Sequence, residues 1–132
     1  MKMLSLVIVA MLGLNVAGCG VKAPIEGRND PYDSAQIHFA QKNLKKSTAV
    51  KMPVAARDPK GEILYITVPI RSTINKQLYV DYRVTWFDAS GLELNSTGWM
   101  SKTLAPNTPD SVTVNSTTER ATDFQVDFRW SQ

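Results

Sequence analysis

From Gln36 onward apolar and polar residues alternate, the pattern of extended strands whose successive side chains point to opposite faces. Gln36–Ala40 sets Ile37 and Phe39 on one face, with a short helix over Ser34–Leu44 as the other reading, and a weaker strand is expected over Ala49–Ala55. Asp58-Pro59-Lys60-Gly61 then has proline second and glycine fourth, the chemistry of a turn. Glu62–Arg71 carries Leu64, Ile66, Val68 and Ile70 on one side and Ile63, Tyr65 and Thr67 on the other. Pro69 calls for an edge strand or a bulge, because it has no amide hydrogen to donate.

Leu78–Phe87 alternates most cleanly: Leu78, Val80, Tyr82, Val84 and Trp86 inward, Tyr79, Asp81, Arg83 and Thr85 outward on a wet face. Asp88-Ala89-Ser90-Gly91 suits a type I turn closed by a glycine at positive φ. Further strands are expected at Leu92–Asn95, Trp99–Leu104, Ser111–Asn115 and Asp123–Trp130, the last with Phe124, Val126, Phe128 and Trp130 on one side. About seven strands and no convincing helix predict an all-β fold, an antiparallel immunoglobulin-like β-sandwich. If Leu78–Phe87 and Asp123–Trp130 are neighbours, Asp81 and Arg83 stand opposite Arg129 and Asp127. Each such pair contributes about 0.2–1 kcal/mol to register.

The first residues follow another logic. Lys2 precedes an apolar run, Leu4–Leu14, that is shorter than the roughly 20 residues a bilayer span requires and has the form of a signal-peptide core. Val16-Ala17-Gly18-Cys19 follows and resembles the lipobox of bacterial lipoproteins: an aliphatic residue, two small residues that fit a peptidase cleft, and the thiol that carries the lipid. Residues 1–18 are therefore expected to be a removed signal peptide, 19–33 a lipidated cysteine with a flexible linker, and 34–132 the β-sandwich domain. Several acyl chains give lasting attachment, at roughly 0.8 kcal/mol per buried CH2. Gly20 lacks the aspartate that marks inner-membrane retention, so the resemblance implies the outer membrane, on its periplasmic side. The linker spans on the order of 20 Å as a coil.

Charge is divided unevenly. Gly20–Lys76 holds ten Lys/Arg against five Asp/Glu, and Gln77–Gln132 four against seven. The basic cluster Lys42, Lys45, Lys46, Lys51, Arg57 and Lys60 is a candidate contact for an anionic surface, against the plainer reading of a solvated face. Nucleic acid is not an expected partner, because no basic and aromatic interleaved motif occurs. The single cysteine is taken by lipid, which leaves the domain no disulfide and no thiol chemistry.

Catalytic parts are scarce. His38 is the only histidine and is expected to be exposed or satisfied, and no metal-ligand spacing, phosphate loop or other cofactor motif occurs. Asp88 and Glu93 flank a tight turn, where ordinary carboxylate behaviour is expected rather than the raised pKa of a glycosidase acid. The expectation is that the protein is not an enzyme, with no catalytic residues, no metal and no cofactor beyond the covalent lipid. Recognition through β structure remains, with Tyr65, Tyr79 and Trp99 as candidate partner contacts.

The stretch Tyr82-Arg83-Val84-Thr85-Trp86-Phe87-Asp88-Ala89-Ser90-Gly91-Leu92-Glu93-Leu94 resembles the signature of the YcfL-like family of small envelope lipoproteins, whose biochemical function is not established. The resemblance extends from Leu64 to the C-terminus and to Cys19, and implies a β-sandwich on a lipid anchor. The function expected from these readings is a non-enzymatic interaction or scaffolding module with a periplasmic or outer-membrane protein partner. A peptidoglycan-binding or cell-wall accessory role is the alternative.

Overall fold

The computed structural model describes residues 35–132. The expected signal peptide, the lipobox Val16–Cys19 and the linker lie outside the described residues. Nine strands and one short helix follow in order: β1 Ile37–Phe39, α1 Lys42–Ser47, β2 Thr48–Val50, β3 Val54–Arg57, β4 Leu64–Ser72, β5 Leu78–Phe87, β6 Glu93–Ser96, β7 Met100–Leu104, β8 Pro109–Asn115 and β9 Asp123–Trp130. They form a sandwich of a five-stranded and a four-stranded sheet.

In the larger sheet β5 is central, with β9 on one side and β6 and β7 end to end on the other, while β1 lies outside β9. In the smaller sheet β4 is central, with β8 on one side and β2 and β3 end to end on the other. The two end-to-end pairs explain why nine strands stand where about seven were expected. Val50 faces Ile70 and Val54 faces Thr67, so four steps along β2–β3 match three along β4. That single extra residue is a β-bulge, and it divides the strand expected over Ala49–Ala55. A second bulge divides β6 from β7. Counted as continuous arms, the strands number seven.

The first bulge accounts for Pro69. Its carbonyl accepts from the Lys51 amide at 3.0 Å, so its nitrogen faces the same break between β2 and β3. The missing donor falls where the ladder is already interrupted, and β4 stays central with a proline inside it. Of the two readings of Pro69, the edge position is thus excluded and the bulge is found, on the partner strand.

Two other expectations are corrected. β1 runs parallel to β9, with Ile37 opposite Val126 and Phe39 opposite Phe128, so the sheet is mixed rather than purely antiparallel. Its connection is a crossover to the smaller sheet, which frees it from hairpin geometry. That crossover contains α1, which overlaps the helix offered as the other reading of Ser34–Leu44 only at residues 42–44, since Ile37–Phe39 is a strand; its remainder gave no signal because Leu44 is its only apolar residue. Tertiary contacts hold it: Leu44 is fully buried, the Trp130 indole donates to Asn43 Oδ1 at 3.0 Å, and the Trp130 amide donates to Gln41 Oε1 at 3.2 Å.

The inward rows are as expected. Leu64, Ile66, Val68 and Ile70 meet Val80, Val84, Trp86, Val126 and Phe128 in one core, each large side chain contributing about 1.5–3 kcal/mol by its burial. Both Asp-x-x-Gly turns form as expected, with Gly61 and Gly91 at φ of 71° and 83° and with amide donors from Glu62 and Leu92 reaching Asp58 Oδ1 and Asp88 Oδ1.

Candidate functional site

The outward side chains of the larger sheet stand in ordered rows. Along one row Ser101 of β7 faces Asp81 of β5, which faces Arg129 of β9. In the next, Arg83 faces Asp127, which faces His38 of β1. Hydrogen bonds and ion pairs run along these rows. Asp81 accepts from Ser101 Oγ and Ser131 Oγ, each at 3.0 Å, and from Arg129 Nε at 3.3 Å. Asp127 accepts from Arg83 Nη2 at 3.4 Å and Gln125 Nε2 at 3.1 Å, and its other neighbour is His38 Nδ1 at 3.3 Å. The cross-strand charge pairing expected from sequence is therefore found at both positions.

Trp99 joins the two rows. The Thr97 amide donates to the Val84 carbonyl and Met100 faces Tyr82, so Gly98 and Trp99 both stand opposite Arg83 in the second bulge. The bulge turns Trp99 over the sheet. Its ring centre lies 3.9 Å from the Arg129 guanidinium carbon and 4.6 Å from that of Arg83. Each arginine thus bonds an aspartate in the sheet and packs on an indole, a cation–π arrangement worth about 0.5–2 kcal/mol.

This cover changes the wet face expected for β5. Asp81, Thr85 and Asp127 point outward yet are buried. Burial works to raise the Asp81 pKa, but donors from Ser131, Ser101 and Arg129 outweigh it and hold the carboxyl below its ordinary value near 3.8. Beside the Asp81 row, and including the Arg83–Asp127–His38 row, the sheet has a shallow concavity of about 350 Å³, lined also by Thr85, Glu93, Ser96 and Gln125 among others.

The sequence candidates fall in different places. Trp99 is half-buried on this face, and Tyr79 stands on the same face, 59% exposed. Tyr65 lies on the smaller sheet's outer side, 40% exposed, so the three do not form one surface. Lys42, Lys45 and Lys46 are exposed on α1, whereas Lys51 follows β2. Arg57 and Lys60 stand at the opposite end of β4, where Arg57 faces Leu64, so the basic segment is divided in space.

His38 is 64% exposed and sits beside Asp127. It is two strands from Thr85 and three from Ser96, about 10 and 14 Å across the sheet. Neither hydroxyl of the concavity is within reach of that imidazole. Asp88 departs from the ordinary behaviour expected of it: donors from the Ser90 hydroxyl and the Leu92 amide lower its pKa, the reverse of what a general acid needs. Among the described residues no group of three His, Cys, Asp or Glu could hold a metal ion, and no helix is long and apolar enough to cross a membrane. Sequence reasoning missed the grouping of His38, Thr85 and Gln125 with the two ion pairs; the shared outward phase on β5 and β9 was the available signal.

The fold and this face define a β-sandwich domain with a polar, arginine- and tryptophan-covered outer sheet. The chain belongs to the DUF1425 family of proteins of unknown function, whose profile matches residues 35–129. It is similar to the crystal structure of Campylobacter jejuni cj0090, with 23% identity, a TM-score of 0.65, and coverage of 74% of this chain and 100% of that one. It is also similar to a DUF1425 family member from Shewanella sp. pv-4, with 21% identity, a TM-score of 0.58, and coverage of 64% and 79%. These likenesses carry the fold. No curated protein matches the chain.

Proposed function

We propose that this protein is a lipid-anchored, non-enzymatic recognition module of the bacterial outer membrane, using the Trp99 face of the larger sheet to bind a periplasmic or outer-membrane protein. The observation that carries the reading is the fixed placement of Trp99 over Arg83 and Arg129. Tryptophan and arginine dominate binding energy at protein interfaces, and side chains already held in place lose little entropy on association. The signal sequence, Cys19 and the YcfL-like resemblance support the envelope address. The separation of His38 from Thr85 and Ser96 supports a non-enzymatic role. Photo-crosslinking from Tyr79 in intact cells tests it: a discrete crosslinked species that disappears in Trp99→Ala is expected. Absence of any species, or one indifferent to Trp99, overturns the reading.

The concavity beside the Asp81 row favours a second reading, a peptidoglycan-binding accessory. Its volume of about 350 Å³ falls in the range of small-ligand sites, and its lining offers donors and acceptors to a sugar or stem peptide. Co-sedimentation with sacculi that is lost in Gln125→Ala and kept in Trp99→Ala would favour this reading over the first.

A further inference from the structure

The fold gathers positive charge at one end of the sandwich from stretches that are separate in sequence. Lys42, Lys45 and Lys46 lie on α1 at spacings of three and four residues, the face turned away from buried Leu44. The Thr73 amide donates to the Ser47 carbonyl at 2.9 Å, which brings the β4–β5 loop beneath α1. In that loop the Ser72 hydroxyl donates to the Lys76 carbonyl at 3.1 Å. Arg71, opposite Ala49, and Lys51, bonded to Pro69, extend the charge onto the adjoining part of the smaller sheet. Among the described residues, the acidic groups toward this end include the C-terminal carboxylate, beyond Ser131, Asp110, which is paired with Lys102 at 2.9 Å, and Asp81, which is paired with Arg129 at 3.3 Å. Acidic Asp58, Glu62, Asp88, Glu93 and Asp123 belong to the turns and strand ends at the other pole.

We infer that the α1 end docks on anionic phospholipid headgroups of the membrane that holds the lipid anchor. The occupant follows from charge complementarity and from tether length. Clusters of four to eight Lys/Arg next to a membrane attachment bind anionic lipid, each contributing roughly a five-fold gain in partition. β1 begins opposite Val126 and β9 ends at Trp130, so the chain enters the domain about 13 Å from this end. The linker expected from the sequence over 19–33 would reach on the order of 20 Å if it were a coil, enough to seat the α1 end on the bilayer. With that end down, the Trp99 face stands upright from the membrane and is open to a partner. The inference rests on the lipid-anchored reading above, but its test does not require the anchor.

The experiment uses residues 20–132, which keep the whole described core and carry no acyl chain. Flotation with vesicles of phosphatidylcholine alone is compared with flotation on vesicles containing phosphatidylglycerol. Binding is expected only to the second and is expected to fall as salt rises, since the screening length shortens from about 10 Å at 0.1 M to 3 Å at 1 M. Lys42→Gln and Lys46→Gln combined should weaken it by about 25-fold. Arg57→Gln with Lys60→Gln, at the other pole, should leave it unchanged; circular dichroism checks that both variants are folded. No binding, equal binding to both vesicles, or equal loss in both variants overturns the inference. Acylation of Cys19, read by mass spectrometry of the cell-made protein, tests the anchor separately.

Discussion

The guanidinium of Arg129 lies 3.9 Å from the ring centre of Trp99 while its Nε bonds Asp81 at 3.3 Å. One side chain thus links a buried carboxylate in the sheet to the aromatic above it, and Arg83 repeats the arrangement with Asp127. Trp99 covers the polar rows but stands outside the core, so its contribution to stability can be read apart from that of the core.

Trp99→Ala is expected to cost about 1–2 kcal/mol, the loss of two cation–π contacts on a half-buried side chain. Trp86→Ala is expected to cost about 3–5 kcal/mol, because Trp86 fills the core and leaves a cavity when truncated. Urea unfolding of the two variants distinguishes them. Equal losses would show that Trp99 is a structural residue first.

Gly91 and Gly98 offer a contrast between conformation and space. A Cβ at either glycine meets nothing within 4 Å, but only Gly91 of the two has positive φ, at 83°. Gly91→Ala should therefore destabilise by about 1–2 kcal/mol through the left-handed backbone alone. Gly98→Ala should change the midpoint little. A melting comparison reads the difference directly.

Much of this architecture was legible in sequence because it depends on a period of two. The inward rows of β4, β5 and β9 and the Asp81–Arg129 and Arg83–Asp127 pairings follow from alternation once β5 and β9 are neighbours. Both glycine turns follow from local chemistry. What escaped depends on contacts between distant residues. α1 is held by Trp130 rather than by its own propensity. The parallel seat of β1 brings His38 to Asp127, and the register step at Gly98 aims Trp99 at its arginines. A bulge leaves no mark in a hydrophobic pattern, and here it sets the candidate site.

Acid should weaken the fold through its hydrogen-bonded aspartates. Asp81, Asp88 and Asp110 all have lowered pKa values in the folded state. For Asp88 the chief cause is the Ser90 hydroxyl. For Asp81 and Asp110 burial opposes the shift, and donors from Ser131, Ser101 and Arg129, or from Lys102 and the Ser111 amide, outweigh it. A carboxyl with a lower folded than unfolded pKa binds protons more readily when unfolded. Its stabilisation is therefore present above about pH 4 and is lost as pH falls through the folded pKa. Urea midpoints should fall below pH 4, and Asp88→Asn should flatten that dependence.

The paired rows permit a test of whether the charges act as a unit. Asp81→Asn removes a carboxylate that two hydroxyls, the Gln132 backbone and Arg129 hydrogen-bond, whereas Arg129→Gln leaves that carboxylate with Ser101, Ser131 and the Gln132 backbone as donors. Each single change should therefore cost more than the pair contributes. A double-mutant cycle isolates the coupling, expected to be favourable and small for a cross-strand ion pair screened by solvent. The Trp99 contribution to emission, taken as the difference from Trp99→Phe backgrounds because Trp86 and Trp130 also emit, should shift whenever Arg129 is lost, since the indole packs on the guanidinium. Unaltered emission in Arg129→Gln would remove the indole from the row it is placed over.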